Sequence, residues 1–174
     1  MINEKVGKIL NEQVNKELYS AYLYLSMSAY FSDLGLLGFA NWMRVQFREE
    51  QAHAMFIYDF LLDRGEKVIL SAIDTPVNTW ANPLTVMEEV LKHEIYVTSL
   101  INNIVSVAEE VKDRATMSYM NWFVDEQVEE EANAKEIIDK LKLIGDDKSA
   151  LYLLDKDLST RVFVQPLIKG NAGV

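Results

Sequence analysis

The chain contains no cysteine in its 174 residues. That excludes disulfides, iron–sulfur clusters, thiolate zinc sites and any cysteine nucleophile. Glycine (7) and proline (3) are scarce, and most of those present fall at breaks or ends of an otherwise helical pattern. Although 49% of the residues are apolar, no apolar run approaches the roughly 18 residues that would mark a membrane span. The N-terminus lacks a basic stretch followed by an apolar one, so no signal peptide is expected and a cytoplasmic location fits. Positive charge is also short: 17 Lys and Arg against 27 Asp and Glu give a formal net charge of −10. A nucleic-acid partner would require a basic face, and none is expected. The acidic excess suits solubility and attraction of cations.

What remains is long and periodic. Helices are predicted over about 3–32, 37–64, 83–110 and 113–144, with a shorter one over about 148–163. Their apolar residues recur at helical spacing: Val6, Leu10, Val14 and Ala21 in the first, Leu151, Leu154, Leu158 and Val162 in the last. Gly35, Gly65 and Gly145 stand where C-caps want glycine, and Asn82-Pro83 reads as an N-cap followed by proline at the first helical position. Short turns join helices one to two and three to four, making two antiparallel hairpins. The segment between the hairpins, with strand-like and turn-like pieces, reaches on the order of 60 Å when extended. A helix of about 28 residues is roughly 42 Å long. The segment can therefore return along the whole bundle. The expected fold is all-α: a four-helix bundle over about 3–144 with one long crossover, and a short fifth helix, in a single domain over 1–174.

The second helix carries an unusual seam. Phe39, Met43, Gln46, Glu50, His53, Ile57 and Leu61 lie on one face, with a carboxylate and an imidazole at its centre. A buried charge is costly without a partner. A Glu-x-x-His pair pointing into a helical bundle matches the arrangement of di-iron and di-manganese carboxylate sites. Counting from turns centred near Leu34 and Lys112, Glu17 and Glu50 are level across one hairpin, and Glu94 and Glu130 across the other. All four lie on the seams of their helices. Four carboxylates and His53 at one height make a hard, oxygen-rich site suited to Fe(II), Mn(II) or Zn(II).

Glu17, Glu50-x-x-His53, Glu94 and Gln127-x-x-Glu130 resemble the ferroxidase centre of prokaryotic non-haem ferritins, and the segments 17–24, 38–43 and 122–131 are similar to that family. The resemblance covers essentially the whole chain. It implies a 24-subunit cage that oxidises Fe(II) with O2 and stores the ferric mineral. One iron would take Glu17, Glu50 and His53; the other would take Glu50 as bridge, Glu94 and Glu130, with Gln127 bonded nearby. Glu49, Glu126 and Glu129 match the extra carboxylates of a third iron site, working with Glu130. Tyr24 matches a tyrosine beside the centre, and as a lone aromatic it fits core packing equally well. No haem is expected. Bacterioferritins carry a second Glu-x-x-His where this chain has Gln127-x-x-Glu130, and rubrerythrins require cysteines. His93 points about 100° away from Glu94 and is expected to be an ordinary surface or interface histidine. The fifth helix is expected to pack at a subunit contact. A di-iron oxidase or oxygenase that keeps its metals is the alternative, and a metal-free helical interaction protein a third reading.

Overall fold

A computed structural model describes residues 2–168; Met1 and the tail 169–174, with its two glycines, lie outside the described residues. Five helices follow in order: α1 Glu4–Asp33, α2 Leu37–Asp63, α3 Pro83–Glu110, α4 Arg114–Ile144 and α5 Lys148–Leu158. No strand occurs among the described residues, so the strand-like pieces of the crossover are extended chain without sheet partners. No helix among them is long and apolar enough to cross a membrane.

The helix ends follow the punctuation. Asn82 Oδ1 accepts from Thr85 N at 2.9 Å, capping α3 with Pro83 in its first turn. Gly35, Gly65 and Gly145 take positive φ values of 74°, 70° and 56°, a region that costs a side chain about 1 kcal/mol or more. At the α3–α4 turn Lys112 accepts that conformation (φ 59°) without being glycine. The fifth helix ends at Leu158, before the Phe163 that its periodicity predicts. The hydroxyls of Ser159 and Thr160 bond back to the carbonyls of Lys156 and Asp157, and the chain leaves the helix there. Val162 consequently lies exposed rather than on an apolar stripe.

The crossover, residues 64–82, is held against the polar face of α1. Asn11 donates to Lys67 O and accepts from Ile69 N, while Asn15 donates to the carbonyls of Ser71 and Ala72. Ser26 donates to Val77 O, and the rings of Tyr30 and Trp80 meet edge-on at 5.2 Å. The segment therefore climbs α1 from its N-terminal to its C-terminal end. This sets α3 parallel to α2, as the connection length allows.

On α3 the buried apolar residues are Val86, Met87, Val90, Val97, Ile101, Ile104 and Ala108; Leu91 and Val105 are half-buried at the border of that face. Two apolar clusters result. One joins Tyr24, Met27, Phe31, Phe39, Met43 and Val90 toward the α5 end. The other joins Leu10, Val14, Ile57, Leu61, Val97, Ile101 and Phe123 at the opposite end. A layer of buried polar side chains lies with them, and it contains Glu17, Glu50, His53, Glu94, Gln127 and Glu130 of the predicted centre.

The fifth helix is docked by an unusual cap. Helix α2 begins at Leu37, and its N-cap residue, Leu36, supplies no side-chain cap. Asp155 of α5 fills that role: its Oδ1 accepts from Gly38 N at 2.8 Å and Phe39 N at 2.9 Å. A carboxylate at a helix N-terminus satisfies orphan amides and opposes the helix dipole. The approach demands glycine, since a Cβ at Gly38 would stand 1.6 Å from the backbone oxygen of Asp155.

Candidate metal centre

Each helix of the bundle brings one glutamate to the polar layer. Glu17 (α1), Glu50 (α2), Glu94 (α3) and Glu130 (α4) are all buried, as are His53, Gln127, Gln13 and Gln46. One donor atom from each of Glu17, Glu50 and His53 lies within 4.8 Å of the others. Glu94 and Glu130 stand close enough for their charges to act on Glu50.

Glutamines and a tyrosine orient the carboxylates. Gln13 Nε2 donates to Glu17 Oε1 at 2.9 Å, and Gln46 Nε2 reaches from α2 to Glu130 Oε2 on α4 at 2.8 Å. Gln127 Nε2 lies 3.2 Å from both the carbonyl and Oε2 of Glu94. Tyr24 OH donates to Glu94 Oε1, so the tyrosine is bonded to the centre and not merely packed beside it. Thr98 receives Gln127 at 3.3 Å and donates to Glu131 at 2.5 Å, which extends the network outward. Gln13 and Gln46, each one turn before a seam glutamate, bond carboxylates of the layer and are absent from the site residues expected from sequence. Their spacing was visible; the cross-bundle reach of Gln46 was not.

The electrostatics reflect burial of like charges. Desolvation pushes the Glu17 carboxyl up from 4.5 to about 7. Glu50 is raised well above the carboxylate range by burial and by the charges of Glu94, Glu17 and Glu130; Glu130 is raised by burial and by Glu94. Glu94 is raised by burial, against the bonds from Tyr24 and Gln127. Burial lowers His53 to about 4, keeping its imidazole neutral as a metal ligand must be. Trp122 and Phe123 pack against that ring edge-on at 5.4 and 5.9 Å. Glu17 Oε2 and His53 Nε2 are buried without a hydrogen-bond partner among the described residues. Orphaned buried acceptors in a carboxylate-rich pocket are the donor set a divalent cation satisfies.

The outer residues form a second group. Glu126 Oε1 lies 4.0 Å from His53 Nε2, and its pKa rises to about 7 through burial and the charges of Glu129 and Glu49. Glu129 is exposed and Glu49 half-buried. Glu49 has a partner that sequence spacing did not reveal: Arg161, whose Nη2 lies 2.7 Å from Glu49 Oε2.

His93 is more enclosed by its own chain than a freely exposed surface histidine. It is half-buried with its Nε2 2.8 Å from Ser20 Oγ, ringed by Tyr19, Tyr24 and Tyr96, and its pKa falls to about 4 by burial. With Tyr19 and Ser20 of α1 and Tyr96 of α3 it lines a small cavity between the two helices.

The arrangement of the whole chain has known counterparts. The family model of the ferritin-like domain matches residues 7–144. The chain belongs to the ferritin family. A bacterial non-heme ferritin of Staphylococcus saprophyticus is 43% identical over 163 residues, covering 94% of this chain and 98% of that protein. The Bacteroides fragilis non-heme ferritin is 42% identical, covering 92% of this chain and all of that one. Among solved structures, the open-pore ferritin of the archaeon Archaeoglobus fulgidus superposes with a TM-score of 0.92 at 52% identity, over 93% of this chain and 100% of that chain. The four-helix bundle with one long crossover is thus a ferritin bundle, and the buried carboxylate layer is the interior of a ferritin-family fold.

Proposed function

We propose that the protein is an iron-storage ferritin whose intrasubunit centre oxidises Fe(II) with O2 and passes ferric iron to a mineral inside a homo-oligomeric cage of 24 subunits. The observation that carries this reading is the buried layer itself. Four carboxylates, one neutral imidazole and orphaned donor atoms on Glu17 and His53 lie buried with two apolar clusters. Such a layer is expensive to bury unless cations enter it.

Glu17, Glu50 and His53 hold one Fe(II). Glu50 bridges to the second, which Glu94 and Glu130 hold from the other hairpin. Each Fe(II) loses one electron, and a single O2 takes both. Carboxylate oxygen favours the trivalent product, because a hard ion of higher charge gains more from anionic ligands. The protein's own task is orientation. Gln13, Gln46 and Gln127 donate to the carboxylates and leave their remaining oxygens for metal, and the Tyr24 hydroxyl fixes Glu94. With one histidine in the set, ferric iron is held by exchangeable oxygen ligands and moves on. Iron is substrate and cargo; the reading includes no haem and places the protein in the cytoplasm.

Rapid-mixing measurement of Fe(II) oxidation tests the assignment. His53→Ala and Glu17→Ala should slow the fast phase severely while the assembly keeps its size, and Tyr24→Phe should slow it with metal stoichiometry unchanged. Wild-type rates in both ligand variants would remove the centre from consideration.

A further inference from the structure

We propose that Arg161 is a built-in counter-cation for the outer carboxylates, holding Glu49 where a third metal ion would otherwise bind. The inference rests on the dinuclear reading of the inner site and concerns the residues just outside it.

Arg161 is placed by the docking of α5. Asp155 caps α2 at Gly38 and Phe39, and Asn41 Nδ2 donates to Arg161 O at 2.9 Å and contacts the carbonyls of Leu158 and Ser159 at 3.4 Å. These bonds fix the backbone just after α5 beside the first turn of α2. From there the side chain lies along α2. Its guanidinium sits 4.6 Å from the centre of the Trp42 ring, and its Nη2 is 2.7 Å from Glu49 Oε2, two turns further on. Cation–π contact with tryptophan and a charge-assisted bond both favour a guanidinium here. The pair is largely shielded, with side-chain exposures of 23% for Arg161 and 16% for Glu49.

The positive charge reaches the centre as well. It acts on Glu130, while Glu49 acts on both Glu126 and Glu130 and Glu129 acts on Glu126. Arg161 is thus bonded to Glu49 and acts on Glu130, and Glu49 in turn acts on Glu126. A metal ion entering this group must either displace the guanidinium or do without Glu49 and bind against a like charge. The clamp is also incomplete: Arg161 Nη1 is buried with no hydrogen-bond partner among the described residues. One ion pair and one ring face hold the head group, so release needs no rearrangement of the fold.

Anaerobic calorimetric titration of the metal-free assembly with Zn(II), which cannot be oxidised, tests this directly. Wild type should bind two Zn(II) per chain and Arg161→Gln three. The double variant Arg161→Gln/Glu129→Gln should return to two. Glu129→Gln alone should leave the wild-type count at two, a measurement independent of whether Arg161→Gln assembles. The proposal is overturned if Arg161→Gln still binds two, or if wild type binds three and Glu129→Gln removes one. Fewer than two in wild type would instead overturn the dinuclear reading beneath it.

Discussion

Replacing Glu17 by glutamine should stabilise the metal-free protein while removing its function. The buried carboxyl has its pKa raised from 4.5 to about 7, chiefly by desolvation. A group whose folded pKa exceeds its unfolded value favours folding below 4.5, where both states carry the proton. It loses that contribution as the pH rises through 7, because the unfolded chain can ionise freely and the buried group cannot. At about 1.4 kcal/mol per pH unit, the loss at pH 8 amounts to about 3 kcal/mol. Glutamine has the shape of the protonated carboxyl, never ionises, and keeps an oxygen to accept from Gln13. Glu17→Gln should therefore match wild type at pH 4 and exceed it by about 3 kcal/mol at pH 8. The assay is denaturant unfolding of chelator-treated protein at both pH values, followed by Zn(II) titration of the same samples. Stability gained and metal lost together is the expected trade. A variant no more stable than wild type at pH 8 would refute the claim that burial of this carboxyl strains the empty centre.

Three further outcomes follow from the same geometry. Metal binding should release protons below pH 7 and weaken by about tenfold per unit for each protonated carboxyl displaced; calorimetry in two buffers of different ionisation enthalpy measures this, and a pH-independent affinity between 5.5 and 8 would contradict it. Gly38→Ala drives a Cβ to within 1.6 Å of the Asp155 carbonyl oxygen. It should undock α5 and cost at least about 2 kcal/mol, read as a lower Tm and a changed assembly size, whereas an unchanged Tm would show that the contact yields. Paired Asn11→Ala and Asn15→Ala substitutions remove the side chains that hold the crossover at its start. They should accelerate proteolysis within residues 64–74 with little change in Fe(II) oxidation rate, and unaltered cleavage would place the restraint elsewhere.

Much of this architecture was legible because it rests on local rules. Gly35, Gly65, Gly145 and Asn82-Pro83 mark the helix ends, since a positive φ or a cap constrains residue type directly. The level placement of Glu17 with Glu50 and of Glu94 with Glu130 follows from counting residues out from two turns, which works because α-helices have a fixed rise. What the sequence concealed depends on contacts between distant segments. The Asp155 cap on α2 joins residues more than a hundred positions apart, as does the Arg161–Glu49 pair. Gln46 lies on a readable seam, yet its bond to Glu130 depends on the spacing of α2 and α4. The angle of His93 from Glu94 excludes it from the centre without saying what surrounds it, and Ser20 and three tyrosines do. The fifth helix stopped early because hydroxyls at Ser159 and Thr160 offered its last carbonyls another partner, a competition that an apolar stripe does not register.

The central claim is that the buried carboxylate layer feeds iron into storage rather than retaining it as a fixed cofactor. Aerobic addition of a large excess of Fe(II) to the purified protein, followed by size separation with iron detection, tests it most directly. The account predicts soluble iron, far beyond two per chain, co-migrating with a very large assembly. Two irons per chain on a small particle would contradict it and make the protein a di-iron enzyme of another kind.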